Sequence, residues 1–352
     1  MAHLLTAYLA FHYLNGKLGG QVPQAIKELK PSSYSQFFHV TWSDDQREWI
    51  IKQYLCQNYD KSFDISNEGA VNQKMSSVRK IAEYVPKFIS YDSLHRILIT
   101  EYSKDYISLS KTTESLSTDE LAMRVAMMMA NTHFHLTNAA IDRVDELAWY
   151  HYKPSILVNN IAYFKSILQN ERHTFVRRNW LRELIVESTL DKILFSFNRS
   201  WTSNKIIHGD AHWANILLNA SGKTINGLQL CDWEFAGWGD EIWDFACFFQ
   251  GFLDMYMNAR IGHSGLIRAG EQFYQIYTNK FKTFESKAQT PEHFEIWCSN
   301  VLRLSAIGFL QKLLKLDQSH TGFSEDIIEP ERARIEFLLK GVITNSNPFK
   351  SF

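Results

Sequence analysis

The chain has 352 residues, 45% of them hydrophobic and 21% charged, with only 16 Gly and 7 Pro. That composition excludes a disordered or low-complexity protein and is enough for two packed lobes. Lys and Arg (37) almost balance Asp and Glu (38), leaving a net charge of -1, so no global field draws the chain to phosphate backbones or anionic lipid, and neither nucleic acid nor a membrane is expected as a partner.

Residues 2 to 14 form an apolar run with no Lys or Arg before it, interrupted by His3, Thr6 and His12. It reads as a packed arm or helix and not as a signal segment. Elsewhere the apolar runs, such as Phe245 to Phe249, break long before the ~20 residues a bilayer requires, and a soluble, cytoplasmic protein is the expectation. Cys56, Cys231, Cys247 and Cys298 lie far apart with no C-x-x-C spacing and read as reduced, mostly buried thiols.

Up to about residue 102 the texture is β-rich. Gln36 to Trp42, Glu48 to Leu55 and Arg96 to Tyr102 are dense in aromatic and branched residues, and Ser43-Asp44-Asp45-Gln46 between the first two suggests a hairpin. One helix is expected from Glu68 to about Tyr84, capped by Asn67, with Val71, Met75, Val78 and Ile81 at helical spacing and Pro86 as its stop. From residue 117 the pattern turns helical. Ser117 and Glu120 form a capping box, Leu121, Val125, Met128 and Met129 continue the buried face, and the adjacent Met127 is also assigned to packing. Further helices fit Ser155 to Leu168, Phe175 to Phe195, Glu241 to Met257, Leu266 to Phe281, Pro291 to Leu316 and Pro330 to Val342. A β island interrupts them at Lys205 to Gly209, Asn215 to Leu218 and Leu228 to Leu230, with a turn at Ser221-Gly222. The expected fold class is α+β: a small β-rich lobe with one helix over residues 1–102 and a larger, mainly helical lobe over residues 103–352.

The island carries the chemistry. It reads His208-Gly209-Asp210 through Asn215, then Asp232-Trp233-Glu234 at the end of the next strand. This spacing matches the H-x-D-x-x-x-x-N catalytic loop and the metal-binding Asp of kinases. Asp210 then serves as the base for an acceptor hydroxyl, while Asn215 and Asp232 supply oxygen ligands to the Mg²⁺ that bridges the phosphates of ATP. Singly, each of these is an ordinary turn residue; their combination on strand ends is what points to phosphoryl transfer.

With Ala236-Gly237 and with Gly239-Asp240 leading to Asp244-Phe245-Ala246, these residues resemble the aminoglycoside phosphotransferase and choline kinase group. The resemblance is close over residues 205 to 250 and extends to the rest of the chain as an order of elements. It implies a protein-kinase-like two-lobe fold, a buried anchoring role for Asp244, and a structural His208 that orients the loop through its ring nitrogens. It further implies a small hydroxyl-bearing acceptor. The stretch from Thr224 to Ala259 has no Lys or Arg but six acidic residues; part of this charge serves Mg²⁺, and the remainder fits either a cationic acceptor or a solvated acidic helix face.

For the nucleotide, Lys52 in its β run is the candidate contact to the α- and β-phosphates, with Glu68 as its partner on the following helix. No glycine occurs between Leu29 and Gln36, so a G-x-G-x-x-G loop is missing, and Ser33 and Ser35 are the candidate phosphate contacts. Glu101 and Tyr102 are the candidate hinge residues for adenine. A pseudokinase scaffold that binds nucleotide without transferring phosphate is the alternative from another class, although Asp210, Asn215 and Asp232 are all retained. A protein kinase fares worse, because Asp232-Trp233-Glu234 replaces D-F-G and no A-P-E follows. The acceptor itself, the choice of ATP or GTP, and the oligomeric state are not legible.

Overall fold

A computed structural model describes residues 6–17, 22–31, 35–42, 47–55, 67–112, 116–141, 151–158, 189–221, 224–258, 260–281 and 291–319. The chain divides into two compact units. The first comprises Met1–Leu116, Asn131–Trp149 and Ala214–Ala236; the second comprises Ser117–Ala130, Tyr150–Trp213 and Gly237–Phe352. The fold is α+β, with one β-sheet unit and one mainly helical unit.

In the first unit, strands β1 (Ala25–Glu28), β2 (Ser35–Thr41), β3 (Glu48–Tyr54), β4 (Phe88–Asp92) and β5 (Ile97–Glu101) form an antiparallel sheet ordered β1-β2-β3-β5-β4. The three β runs expected from sequence correspond to β2, β3 and β5, whereas β1 and β4 are short edge strands with no strong β signal of their own. Side chains alternate across a sheet, and the register sorts them. Phe38, Ile51 and Ile99 lie opposite one another, as do Phe37, Lys52 and Leu98 one step along. These are the two faces.

Helix α1 (Ala7–Lys17) covers the first face, burying Ala10 and Leu14 against Phe38, Val40, Trp49, Ile51, Ile97 and Ile99. It is capped by Thr6, whose hydroxyl accepts the Leu9 N–H at 3.3 Å. Its far end is tied to Asp92: the carboxylate accepts the Tyr13 hydroxyl at 2.9 Å and pairs with Lys17 at 3.3 Å and His95 at 3.0 Å. The same carboxylate accepts the N–H groups of Leu94 and His95, which shapes the turn where Arg96 takes a left-handed φ of 56° before β5.

Helix α2 (Asn67–Ser77) is shorter than its sequence pattern suggests. The Ser77 hydroxyl takes up the Lys74 carbonyl at 2.6 Å, and the chain continues in three-residue turns to a 3₁₀ helix at Ala82–Tyr84. Gly69 allows α2 to lie against β4, since a Cβ there would fall 2.1 Å from the Tyr91 ring. A smaller sheet joins β6 (Ile107–Ser108), β8 (Ile216–Ser221) and β9 (Thr224–Leu230) in that order around the central β8.

In the second unit, β7 (Lys205–Ile207) pairs antiparallel with β10 (Gly237–Gly239). Helix α3 (Thr118–Ile141) begins at its expected cap, with the Glu120 N–H on the Ser117 hydroxyl at 3.3 Å. Met128 and Met129 are buried, but Met127 is exposed. Helices α4 (Ser155–Val158) and α5 (Thr189–Ser200) cover parts of two expected helices whose remainders, like the whole of 330–342, lie outside the described residues. Helix α6 (Ile242–Met257) presents Phe245, Phe248 and Phe249 to Phe273 of α7 (His263–Phe281), and Phe245 and Phe249 to Trp297 of α8 (Pro291–Ser319), in an aromatic core of edge-to-face and tilted pairs. Cys247 and Cys298 are buried free thiols, Cys231 is half-buried, and Cys56 is outside the described residues. Among the described residues, no helix is long and apolar enough to cross a membrane.

Burial alone would raise the Asp92 carboxyl, but bonds from His95, Tyr13 and Lys17 hold it well below the usual carboxylate range. Its contribution is complete above the unfolded-state pKa of about 4 and is lost as pH falls through the lower native value. Asp92→Asn is therefore expected to cost about 1–3 kcal/mol in urea unfolding at pH 7. The gap from wild type should narrow below pH ~4, and a gap independent of pH would contradict this role.

Candidate functional site

Lys52 sits mid-strand in β3 and is nearly inaccessible, at 5% exposure. Its aliphatic stem passes over aromatic surface, with Nζ 4.9 Å from the Tyr54 ring centre. A lysine buried this deeply would ordinarily lose its proton. Three carboxylates prevent that: Glu68 Oε2 at 2.8 Å, Glu234 Oε2 at 3.1 Å, and Asp232 Oδ1 in direct contact. Burial pulls the ammonium pKa down, and the charges of Glu68, Asp232 and Glu234 more than reverse that, holding Lys52 firmly protonated.

Glu68, in the first turn of α2, is itself buried and has two roles. One oxygen takes the Lys52 ammonium, and the other accepts the backbone N–H of Trp233 at 3.1 Å. Burial lifts its pKa against the pull of Lys52, to about 7. The bond to Trp233 fixes the turn after β9, where Asp232 takes a left-handed conformation with φ 68°. Short polar Asp is among the few side chains that tolerate this region. Trp233 beneath is fully buried, with its indole N–H on the Leu230 carbonyl at 2.8 Å.

Across the β8–β9 hairpin, the Asn215 carbonyl accepts the Cys231 N–H at 2.9 Å, so Asn215 and Asp232 leave adjacent strand ends. Oxygens of Glu68, Asp232 and Glu234 lie within 4.8 Å of one another. One ammonium faces three carboxylates, and this excess of hard, negative oxygen donors fits a magnesium ion. Glu234 was not singled out by sequence reasoning. Its signal was present, because a residue two positions beyond Asp232 on a tight turn returns to the same place.

The second unit contains the other part of the motif. At the end of β7, the fully buried Asp244 accepts the N–H of His208 at 2.7 Å and of Gly209 at 2.8 Å. The Gly209 carbonyl accepts the Tyr152 hydroxyl at 2.9 Å and the Trp243 indole N–H at 2.8 Å. Gly209 adopts φ 83°, which a glycine takes without strain. The Asp210 N–H then donates to Nδ1 of the buried His208 at 3.1 Å, and the Asp210 carboxylate remains about one third exposed. Trp233 and Trp243 are buried, whereas the Trp213 ring lies against Gly251 of α6 and contacts Phe252.

The nucleotide candidates fall unevenly. Ser35 is the fully buried first residue of β2, paired with Tyr54, and Ser33 lies outside the described residues. Glu101 ends β5, where its N–H donates to the Lys87 carbonyl, and the Tyr102 N–H donates to the Glu48 carbonyl. Both hinge amides are thus committed to the sheet.

No protein-family model matches the chain, and no curated protein matches it by sequence. By structure it is similar to an aminoglycoside 2'-phosphotransferase solved with GDP, at TM-score 0.57 and 12% identity over 95% of this chain and 99% of that one. An ethanolamine kinase from Plasmodium vivax aligns at TM-score 0.53 and 13% identity, covering 96% and 89%. A choline kinase from Streptococcus pneumoniae aligns at 0.51 and 16%, covering 96% and 99%. The fold is therefore that of the protein-kinase-like phosphotransferases, as the resemblance in residues 205 to 250 implied.

Replacing Asp244 by Asn keeps the shape but turns an amide N–H₂ toward a backbone N–H. A loss of about 2–3 kcal/mol in urea unfolding is expected, and an unchanged midpoint would show that the carboxylate does not anchor the loop.

Proposed function

We propose that the protein is a small-molecule kinase that transfers the γ-phosphate of ATP to a hydroxyl of a small, amine-bearing acceptor. The observation that carries this reading is the buried Lys52–Glu68 pair closed onto the Asp232 turn. A lysine held rigidly on a strand and still charged is suited to the α- and β-phosphates, which would replace carboxylates as its counter-ions. The structural neighbours named above are phosphotransferases of aminoglycosides, choline and ethanolamine, which supports the reaction class.

Residues 1–102 would hold the nucleotide, with Lys52 on the phosphates, Glu68 orienting it, and Ser33, Ser35 and the Glu101-Tyr102 segment nearby. Asn215 and Asp232 would hold Mg²⁺, which neutralises charge on the β- and γ-phosphates when bound. Asp210 would accept the proton of the acceptor hydroxyl as its oxygen attacks the γ-phosphorus. The bond from that phosphorus to the bridging oxygen breaks, leaving ADP, a phosphate ester and a released proton. Asp210 and Asn215 are five positions apart in the chain.

The test is turnover of Mg-ATP, with Mg-GTP in parallel, against choline, ethanolamine and kanamycin. Asp210→Ala is expected to retain ATP affinity by calorimetry while kcat falls roughly 10²–10⁴-fold, as for a group that acts mainly in the transition state. Wild-type turnover by this variant would remove Asp210 from the chemistry. Nucleotide binding with no turnover of any acceptor, or of water, would favour the pseudokinase scaffold.

A further inference from the structure

The loop that presents Asp210 also contains a residue the kinase motif does not use. His212 follows after a tight turn in which its N–H donates to the Asp210 carbonyl at 2.8 Å. Ala211, between them, is fully buried. That turn folds the imidazole back on the carboxylate, so that His212 Nε2 lies 3.1 Å from Asp210 Oδ1. Both side chains are about one third exposed, at 35% and 33%. A contact so open to water adds little to stability, typically about 0–1 kcal/mol. Its value lies in orientation.

The backbone of residues 208–210 is fixed from four directions, by Asp244, Tyr152, Trp243 and the His208 ring. None of these contacts fixes the rotation of the Asp210 carboxylate about its own axis. His212 meets one oxygen of that carboxylate. We propose that His212 is a positioning residue for Asp210, holding its carboxylate through Oδ1 in the orientation that meets the acceptor hydroxyl. This rests on Asp210 acting as the base. General-base transfer needs the accepting lone pair within hydrogen-bond reach of the hydroxyl, and small misplacements are costly.

The experiment measures kcat and KM for Mg-ATP, with water alone and with choline, ethanolamine and kanamycin as acceptors. The variants are His212→Phe, His212→Gln, Asp210→Asn and the Asp210→Asn/His212→Phe pair. His212→Phe keeps the ring but has no donor. It should lower kcat roughly 10- to 100-fold, leave KM for ATP within about twofold, and melt within about 2 °C of wild type. His212→Gln, with an amide N–H able to reach Oδ1, should recover most of the loss. The double variant should be no slower than Asp210→Asn alone, because an effect exerted through Asp210 vanishes with it.

Wild-type turnover by His212→Phe beside an inactive Asp210→Asn would overturn this inference and leave the base intact. Failure of His212→Gln to recover would also overturn it, by assigning the defect to loop packing. Full activity in Asp210→Asn, or no turnover in wild type, would remove the reading beneath it.

Discussion

A lysine ammonium buried in a β-sheet must be matched by negative charge or give up its proton, and Lys52 is matched three times over. Much of the first unit follows from that constraint. Glu68 must reach the ammonium from the first turn of α2, so α2 must lie close on β4, and Gly69 supplies the clearance from Tyr91. Glu68 must also be held, and the Trp233 N–H takes its other oxygen. Removing one member of such a buried cluster would strand the others, typically at about 3–5 kcal/mol, so the elements carrying these charges are fixed by one another.

The same device recurs in the second unit. A buried carboxylate accepts backbone N–H groups of the turn that carries a chemical residue: Glu68 takes Trp233 beside Asp232, and Asp244 takes His208 and Gly209 beside Asp210. In both cases a buried acidic side chain is spent on geometry. Both turns also use a left-handed residue: Gly209 takes φ 83° freely, whereas Asp232 at φ 68° is held there by the surrounding bonds. The aromatic core of α6, α7 and α8 gives Asp244 a rigid base, since α6 begins two residues before it.

Much of this was legible in the sequence because the informative residues are local. The H-x-D-x-x-x-x-N spacing lies within eight residues, and the strands β2, β3 and β5 declare themselves through dense aromatic and branched residues. Edge strands β1 and β4 did not, since Ala25–Glu28 is polar and half solvated and gains its structure from pairing with β2. The end of α2 was overestimated because apolar spacing runs on through Val78 and Ile81, whereas the Ser77 hydroxyl captures a helix carbonyl first. Glu234 and His212 were missed for one reason. Their importance comes from tight turns that bring residues two apart onto one group, and no periodicity records a turn of that kind. Asp92 gathers partners from positions 13, 17 and 95, contacts that appear only once the sheet is folded.

On the proposed function, Lys52 keeps its charge in order to receive a triphosphate accompanied by a divalent ion. Calorimetric titration of a non-hydrolysable ATP analogue, with and without Mg²⁺, into wild type and Lys52→Met tests it directly. Binding that requires Mg²⁺ and weakens at least about tenfold in Lys52→Met, a loss of about 1.4 kcal/mol, is the expected result. Equal affinity in the two proteins, with the variant still folded by circular dichroism, would show that Lys52 does not hold the phosphates.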